Sequence, residues 1–227
     1  MFDLIATDPR FFVIDKHPGA SFHRQGEECG LVEAARAQLG AIWPVHRLDR
    51  MTSGVLLLAR SPEVARQLSE RLAERRVDKL YLALSDRKPA KKQGLVQGDM
   101  QKGRGGAWRL CASRIQPALT QFCSCSLAPG LRVFFLKPLT GKTHQLRVAL
   151  KSLGAPMIGD PLYHGASEPQ PERGYLHAWS LAFELDGENF HFMVAPRHGA
   201  LFQRDDFQAL IARPEWQPQA LQWPQLT

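Results

Sequence analysis

Cysteine is scarce in this chain of 227 residues, with only Cys29, Cys111, Cys123 and Cys125. A chain of this length buries a full core without disulfides, so a stapled secreted scaffold is not needed to explain its folding. Cys123 and Cys125 stand two apart in what reads as a strand. That is not the C-x2-C spacing of a zinc knuckle, and no partner pair follows, so no metal is expected. The four read as reduced, mostly buried thiols. Long apolar runs are also missing. The central apolar stretch is Val55 to Ala59, far short of the roughly 20 residues that span a bilayer. The first sixteen residues carry Asp3, Asp8 and Asp15 and no unbroken apolar core, which argues against a signal peptide. A cytoplasmic protein is expected.

Acids are few where bases are many. The chain has 29 Lys and Arg against 22 Asp and Glu, a net charge of +7. Arg87 to Arg109 holds seven basic residues and a single acid, Asp99, and Leu131 to Leu153 holds five basic residues and no acid. Clustered positive charge is the footprint of a polyanion such as RNA, although the same cluster also reads as a solvated surface.

With about 150 residues per domain as a guide, the length suits one large domain with an appendage. Residues 1–213 are expected to form a single catalytic domain with a basic insert at about 86–106. Residues 214–227 form a tail with Trp216, Trp223 and three prolines. Phe11–Ile14, Val55–Ala59, Lys79–Ser85, Ala107–Ser113, Leu119–Leu127, Leu131–Lys137, Tyr175–Leu185 and Asn189–Val194 read as strands. Leu31–Leu39 reads as a helix closed by Gly40. Ser61-Pro62-Glu63 starts another that runs to about Arg75. Thr143 is expected to cap a third helix to about Leu153, with His144, Arg147 and Lys151 on a face of their own, and Asp205–Ala212 to form a fourth. The Lys- and Gly-rich segment 86–106 reads as a mobile loop or small hairpin, and Pro156–Arg173 as loop. Strands in hairpin-like succession predict an α+β fold with a largely antiparallel sheet.

Two short segments carry the chemistry. In His46-Arg47-Leu48-Asp49-Arg50-Met51-Thr52-Ser53-Gly54 a carboxylate stands between two guanidinium groups, which favours its ionised form. The small residues that follow allow a tight turn. An ion-paired structural turn would look the same. In Gly141-Lys142-Thr143-His144-Gln145-Leu146-Arg147 donors gather at a helix start, where anions are attracted. An ordinary amphipathic helix would share that pattern. Leu136 stands where a P-loop requires its first glycine, which argues against ATP.

Together with Gly159-Asp160-Pro161-Leu162-Tyr163, Lys79-Leu80-Tyr81-Leu82-Ala83 and Leu176-His177-Ala178, these motifs resemble the RluA family of RNA pseudouridine synthases, over about Phe11 to Val194. The resemblance implies the pseudouridine synthase fold, with a central mixed, mostly antiparallel sheet flanked by helices and loops, and isomerisation of uridine to pseudouridine in structured RNA, ribosomal or transfer, without metal or organic cofactor. By position it makes Asp49 the catalytic aspartate. Tyr81 becomes the ring against the target base, and Arg147 the guanidinium that pairs with the carboxylate. Arg47 would fill the gap left by the flipped nucleotide, and Leu146 is the apolar residue beside Arg147. His46, Thr52, Lys142, His144 and Gln145 complete the expected substrate contacts. Lys88, Lys91, Lys92, Lys102 and Arg104 are expected on the RNA backbone.

The sequence departs from the family in three ways. Lys16-His17-Pro18-Gly19 carries a histidine inside what is usually K-P-x-G, and Lys142 replaces a more frequent arginine. No RNA-binding domain is expected before Phe11. RNA is the expected partner, with no membrane and a monomeric chain. A catalytically silent RNA-binding protein on the same scaffold is the alternative. A carboxylate hydrolase would need a second acid near Asp49, and Asp160, the only acid the motifs offer, reads as structural.

Overall fold

In the computed structural model, which describes residues 1–165 and 170–224, the apolar runs become strands. The order is β1 (Phe2–Thr7), β2 (Phe11–Lys16), α1 (Leu31–Leu39), β3 (Trp43–Pro44), β4 (Ser53–Ala59), α2 (Pro62–Ala73), β5 (Val77–Ser85), β6 (Gln93–Lys102), β7 (Trp108–Cys111), β8 (Ala118–Ala128), β9 (Leu131–Pro138), α3 (Gln145–Ser152), β10 (Leu176–Leu185), β11 (Glu188–Met193) and α4 (Asp205–Ile211). The fold is α+β, as expected. The expected loop Pro156–Arg173 and the expected tail extend beyond the described residues, at 166–169 and 225–227. Among the described residues no helix is long and apolar enough to cross a membrane.

Two compact units are present, each made of two stretches of chain. The first is Met1–Lys79 with His177–Pro196, and the second is Leu80–Leu176 with Arg197–Thr227. In the first unit β2 runs antiparallel to β1 and to β4, and β10 is antiparallel to β11. The β4–β10 pair is parallel, matching Ser53 with His177 and Gly54 with Ala178. The period-two sets Phe11 and Val13, Val55, Leu57 and Ala59, and Leu181, Phe183 and Leu185 fall on one core cluster, with Leu68 of α2 packed into it. The start of α2 is the expected one: the Ser61 hydroxyl accepts from the Val64 amide at 3.2 Å, and Pro62 opens the helix. The helix ends at Ala73, because Arg75 takes a left-handed φ of 61°.

In the second unit β5, β9, β8, β6 and β7 pair in that order, each antiparallel to the next. Of the two readings of the segment 86–106, the hairpin holds and the mobile loop does not, since β6 and β7 pair antiparallel. Its β6 is a ladder strand, with β8 and β7 as partners. Gly98 permits this, since a Cβ there would lie 2.3 Å from the Cys111 carbonyl oxygen. The tail packs too: Trp216 stacks on the buried Phe135 ring at 4.8 Å, and the Gln121 amide donates to the Pro224 carbonyl. Burial pushes the Cys123 thiol up to about 12 and the Cys125 thiol up to about 11, so both stay protonated. The cysteines are free.

Candidate active site

Asp49 stands on the turn between β3 and β4, in the first unit. The Thr52 amide donates to the Asp49 carbonyl at 3.0 Å and closes the turn. Lys16, at the end of β2, is fully buried, and its ammonium donates to the carbonyls of His17 (3.0 Å), Arg50 (3.0 Å) and Thr52 (2.8 Å). A buried ammonium is costly unless its donors are used. Here they clamp the backbone on both sides of Met51. The Gly19 amide adds a bond to the Arg50 carbonyl at 2.8 Å. The unusual Lys16-His17-Pro18-Gly19 strand-turn thus grips the aspartate turn through its main chain. Sequence reasoning gave Lys16 no role. The available signal was a lysine that, with Asp15, closes the apolar run Phe11–Ile14.

Beyond the turn, Gly54 adopts φ +111°, and a Cβ there would lie 2.1 Å from the Ala178 carbonyl oxygen. The glycine is needed for the approach of β10 as well as for the turn. The Ser53 hydroxyl and His177 Nδ1 are 2.8 Å apart, and His177 Nε2 lies 2.7 Å from the Val194 carbonyl oxygen. A carbonyl only accepts, so His177 Nε2 donates and Nδ1 accepts from Ser53. His46, expected among the substrate contacts, is half-buried, and its Nε2 accepts from the Leu57 amide at 3.1 Å. Burial, with the Lys79 ammonium nearby, pushes its pKa down to about 3. It is a neutral prop under the turn. Thr52 is buried and Arg47 is exposed.

The second unit carries Tyr81, Leu146 and Arg147. Tyr81 is half-buried on β5, opposite Leu136 of β9. Thr143 does not cap α3. The cap residue is His144, at φ 56°, with no side-chain cap bond. The Gln145 side chain does the fixing instead. Its oxygen accepts from the Thr140 hydroxyl (2.7 Å) and the Lys142 amide (3.0 Å), and its nitrogen donates to the Leu119 carbonyl (2.9 Å) and the Thr120 hydroxyl (3.0 Å). Those four bonds use the whole capacity of a primary amide. Gln145 is a buried brace, where a substrate contact had been expected. Lys142 is exposed, and His144 Nδ1 lies 3.0 Å from the Tyr163 hydroxyl.

Arg147 shares no solvated face with Lys151, since it is buried against Asp160. Nε donates to Oδ2 at 2.8 Å and Nη2 to Oδ1 at 2.9 Å, a bidentate pair. Asp160 also accepts from the amides of Leu162 (2.9 Å) and Tyr163 (3.2 Å). The Arg147 guanidinium carbon lies 5.0 Å from the Tyr163 ring centre. Asp160 is thus occupied in holding an arginine, as its structural reading required. Tyr163 reaches further, because its hydroxyl accepts from the Trp108 amide at 2.8 Å and so ties β7 to the start of α3. Lys88, Lys91, Lys92, Lys102 and Arg104 are all exposed, with Lys102 over the Trp108 ring.

A family model described as RNA pseudouridylate synthase matches residues 10–152. A Haemophilus influenzae protein described as an uncharacterized RNA pseudouridine synthase is 52% identical over 210 residues, covering 90% of this chain and 93% of that one. The dual-specificity RNA pseudouridine synthase RluA of Pasteurella multocida is 32% identical over 204 residues, covering 80% and 86%. Among solved structures, human RNA pseudouridylate synthase domain containing 1 superposes with a TM-score of 0.73 at 27% identity, covering 94% of this chain and 96% of that one.

Proposed function

Because this chain belongs to the RNA pseudouridylate synthase family, of the RluA type, and isomerises uridine in RNA to pseudouridine, we propose that Asp49 is the carboxylate that acts on the target nucleotide. The reaction breaks the N1–C1′ bond, turns the base and joins C5 to C1′. A proton leaves C5 and one is gained at N1, so atoms balance without an oxidant or an energy source. The step calls for an ionised carboxylate, as nucleophile or as base at the sugar. The observation that carries the assignment is the clamped turn: Lys16 and Gly19 hold the main chain around Asp49. Such fixing is what positioning a reacting group requires.

The family resemblance supplies the other roles. Tyr81 offers the aromatic face that holds the freed base, and Arg147 the guanidinium for the carboxylate. Arg47, exposed on the Asp49 turn, fills the stack after the nucleotide flips out. The target is a uridine in a stem-loop of ribosomal or transfer RNA, and the chain acts as a monomer in the cytoplasm. Mapping pseudouridine in total RNA from cells with and without the gene tests this reading. One or more sites should vanish with the gene, and an unchanged map contradicts it.

The exposed cations Lys88, Lys91, Lys92, Lys102 and Arg104 track the RNA backbone. β6 and β7 hold Lys102 and Arg104 on an ordered hairpin. Changing all five to Gln should flatten the salt dependence of binding by up to about 0.7 log units per lost contact to single-stranded RNA. The rate at saturating RNA should hold. An unchanged salt slope moves the phosphate contacts to the cluster at 131–153.

A further inference from the structure

Beside the Asp49 turn, within the first unit, lies a cavity of about 440 Å³. Sites for small ligands run from about 300 to 1,000 Å³. The walls include His17, Pro18 and Ser21 from the chain after β2, together with Glu28 and Arg50. They are preformed. Arg50 Nε donates to the Gly19 carbonyl at 2.9 Å, and the Leu31 amide donates to the Ser21 carbonyl at 2.8 Å. Ser21 is 5% exposed, yet its hydroxyl has no hydrogen-bond partner. A buried polar group left unpaired calls for an explanation, and a turn of the Ser21 side chain toward a ligand in the cavity it lines supplies one.

We propose that this cavity receives a nucleotide of the RNA substrate one or two positions from the target uridine, and that it favours a base with an exocyclic amino group. The proposal rests on Asp49 acting at that uridine. Arg50 follows Asp49 directly, so their Cα atoms are about 3.8 Å apart. A strand that delivers a uridine to Asp49 therefore runs past the Arg50 side chain within a nucleotide or two. The guanidinium, steadied through Nε on the Gly19 carbonyl and with Nη2 3.4 Å from a Glu28 oxygen, keeps N–H donors for a phosphate. The His17 ring is held by Asp3, with Nε2 and Oδ2 3.0 Å apart, and a base stacks on such a ring. Glu28 is an acceptor at the wall. It bonds the amino group of adenine, cytosine or guanine, whereas uracil offers only its N3–H, flanked by two carbonyl oxygens that repel a carboxylate.

The test uses the full chain and a synthetic RNA copied from around a mapped pseudouridine site. Abasic residues replace, one at a time, the two nucleotides on each side of the uridine. Ala20 also lines the cavity, and Ala20→Leu fills it. Loss of one stacked base should raise the RNA concentration at half-maximal rate about tenfold. Ala20→Leu should do the same while the rate at saturation holds. One abasic position should weaken the wild type by that factor and leave Ala20→Leu no weaker than before. Ser21→Ala keeps the fold, removes the hydroxyl and should weaken binding in the same direction. If Ala20→Leu does not fold, Ser21→Ala at the same abasic positions decides. The proposal is overturned if every abasic effect multiplies with the cavity variants, or if the variants bind as the wild type does. A failure of the Asp49 reading looks different, since Asp49→Asn would then still form pseudouridine.

Discussion

In the turn at 46–54 the atoms that do the fixing are backbone carbonyls, gathered on the buried Lys16 ammonium. At the start of α3 they are side chains, with the Gln145 amide using four bonds and Asp160 holding Arg147 through two. A backbone clamp fixes the path of the chain and spends no atom of the Asp49 side chain on the task. A side-chain clamp fixes a charged group itself, which suits a guanidinium needed in one orientation. The contrast follows from the groups: a lysine serves several carbonyls as a compact charge, whereas the planar arginine fork matches a carboxylate.

The largest effect should come from breaking the side-chain clamp. Arg147→Met leaves Asp160 buried and unpaired, at a cost of about 3–5 kcal/mol. Pairing it with Asp160→Asn, which removes the charge and keeps an oxygen for the Leu162 and Tyr163 amides, should restore much of that stability in urea unfolding, but not the turnover. Recovery of both would reduce Arg147 to a structural residue. Next comes the backbone clamp. Lys16→Met takes the ammonium donor from three carbonyls, of which that of Arg50 keeps the Gly19 amide, and about 2–4 kcal/mol of stability should go with it. Turnover should fall as well, because the aspartate turn loosens. A destabilised variant with unchanged turnover at saturating RNA would separate the clamp from the chemistry.

The smallest effect concerns the prop beneath the turn. His46 is held neutral in the fold, with its pKa pushed down to about 3, against about 6.5 in an unfolded chain. Between those values the unfolded state binds the extra proton, so stability falls as pH drops below about 6.5. At pH 5 the loss is at most about 2 kcal/mol, because the ring is only half-buried. His46→Gln should remove that part of the acid sensitivity. Equal losses in both proteins between pH 7 and pH 5 would assign it to other groups.

Much of this was legible in the sequence, and the exceptions have physical causes. β4 and α2 announced themselves through a pure apolar run and a Ser-Pro-Glu start. β1 did not, because an edge strand of mixed exposure shows little alternation. β6 was legible only as one of two readings, mobile loop or hairpin, because its glycines suit both, and Gly98 is there to let β7 come close. The motifs located Asp49, Tyr81 and Arg147, but their supports were less visible. The Lys16 clamp joins residues 34 and 36 positions apart, and no local pattern records it. Gln145 looked like a ligand residue because a motif does not say which way an amide turns.

The central claim is that the clamped turn presents Asp49 for the chemical step, and Asp49→Asn tests it most directly. The change keeps the shape and removes the carboxylate. Single-turnover conversion of a mapped RNA should become undetectable, while RNA affinity and the urea midpoint stay near those of the wild type. Conversion within about tenfold of the wild-type rate, a barrier change of only about 1.4 kcal/mol, would contradict the account.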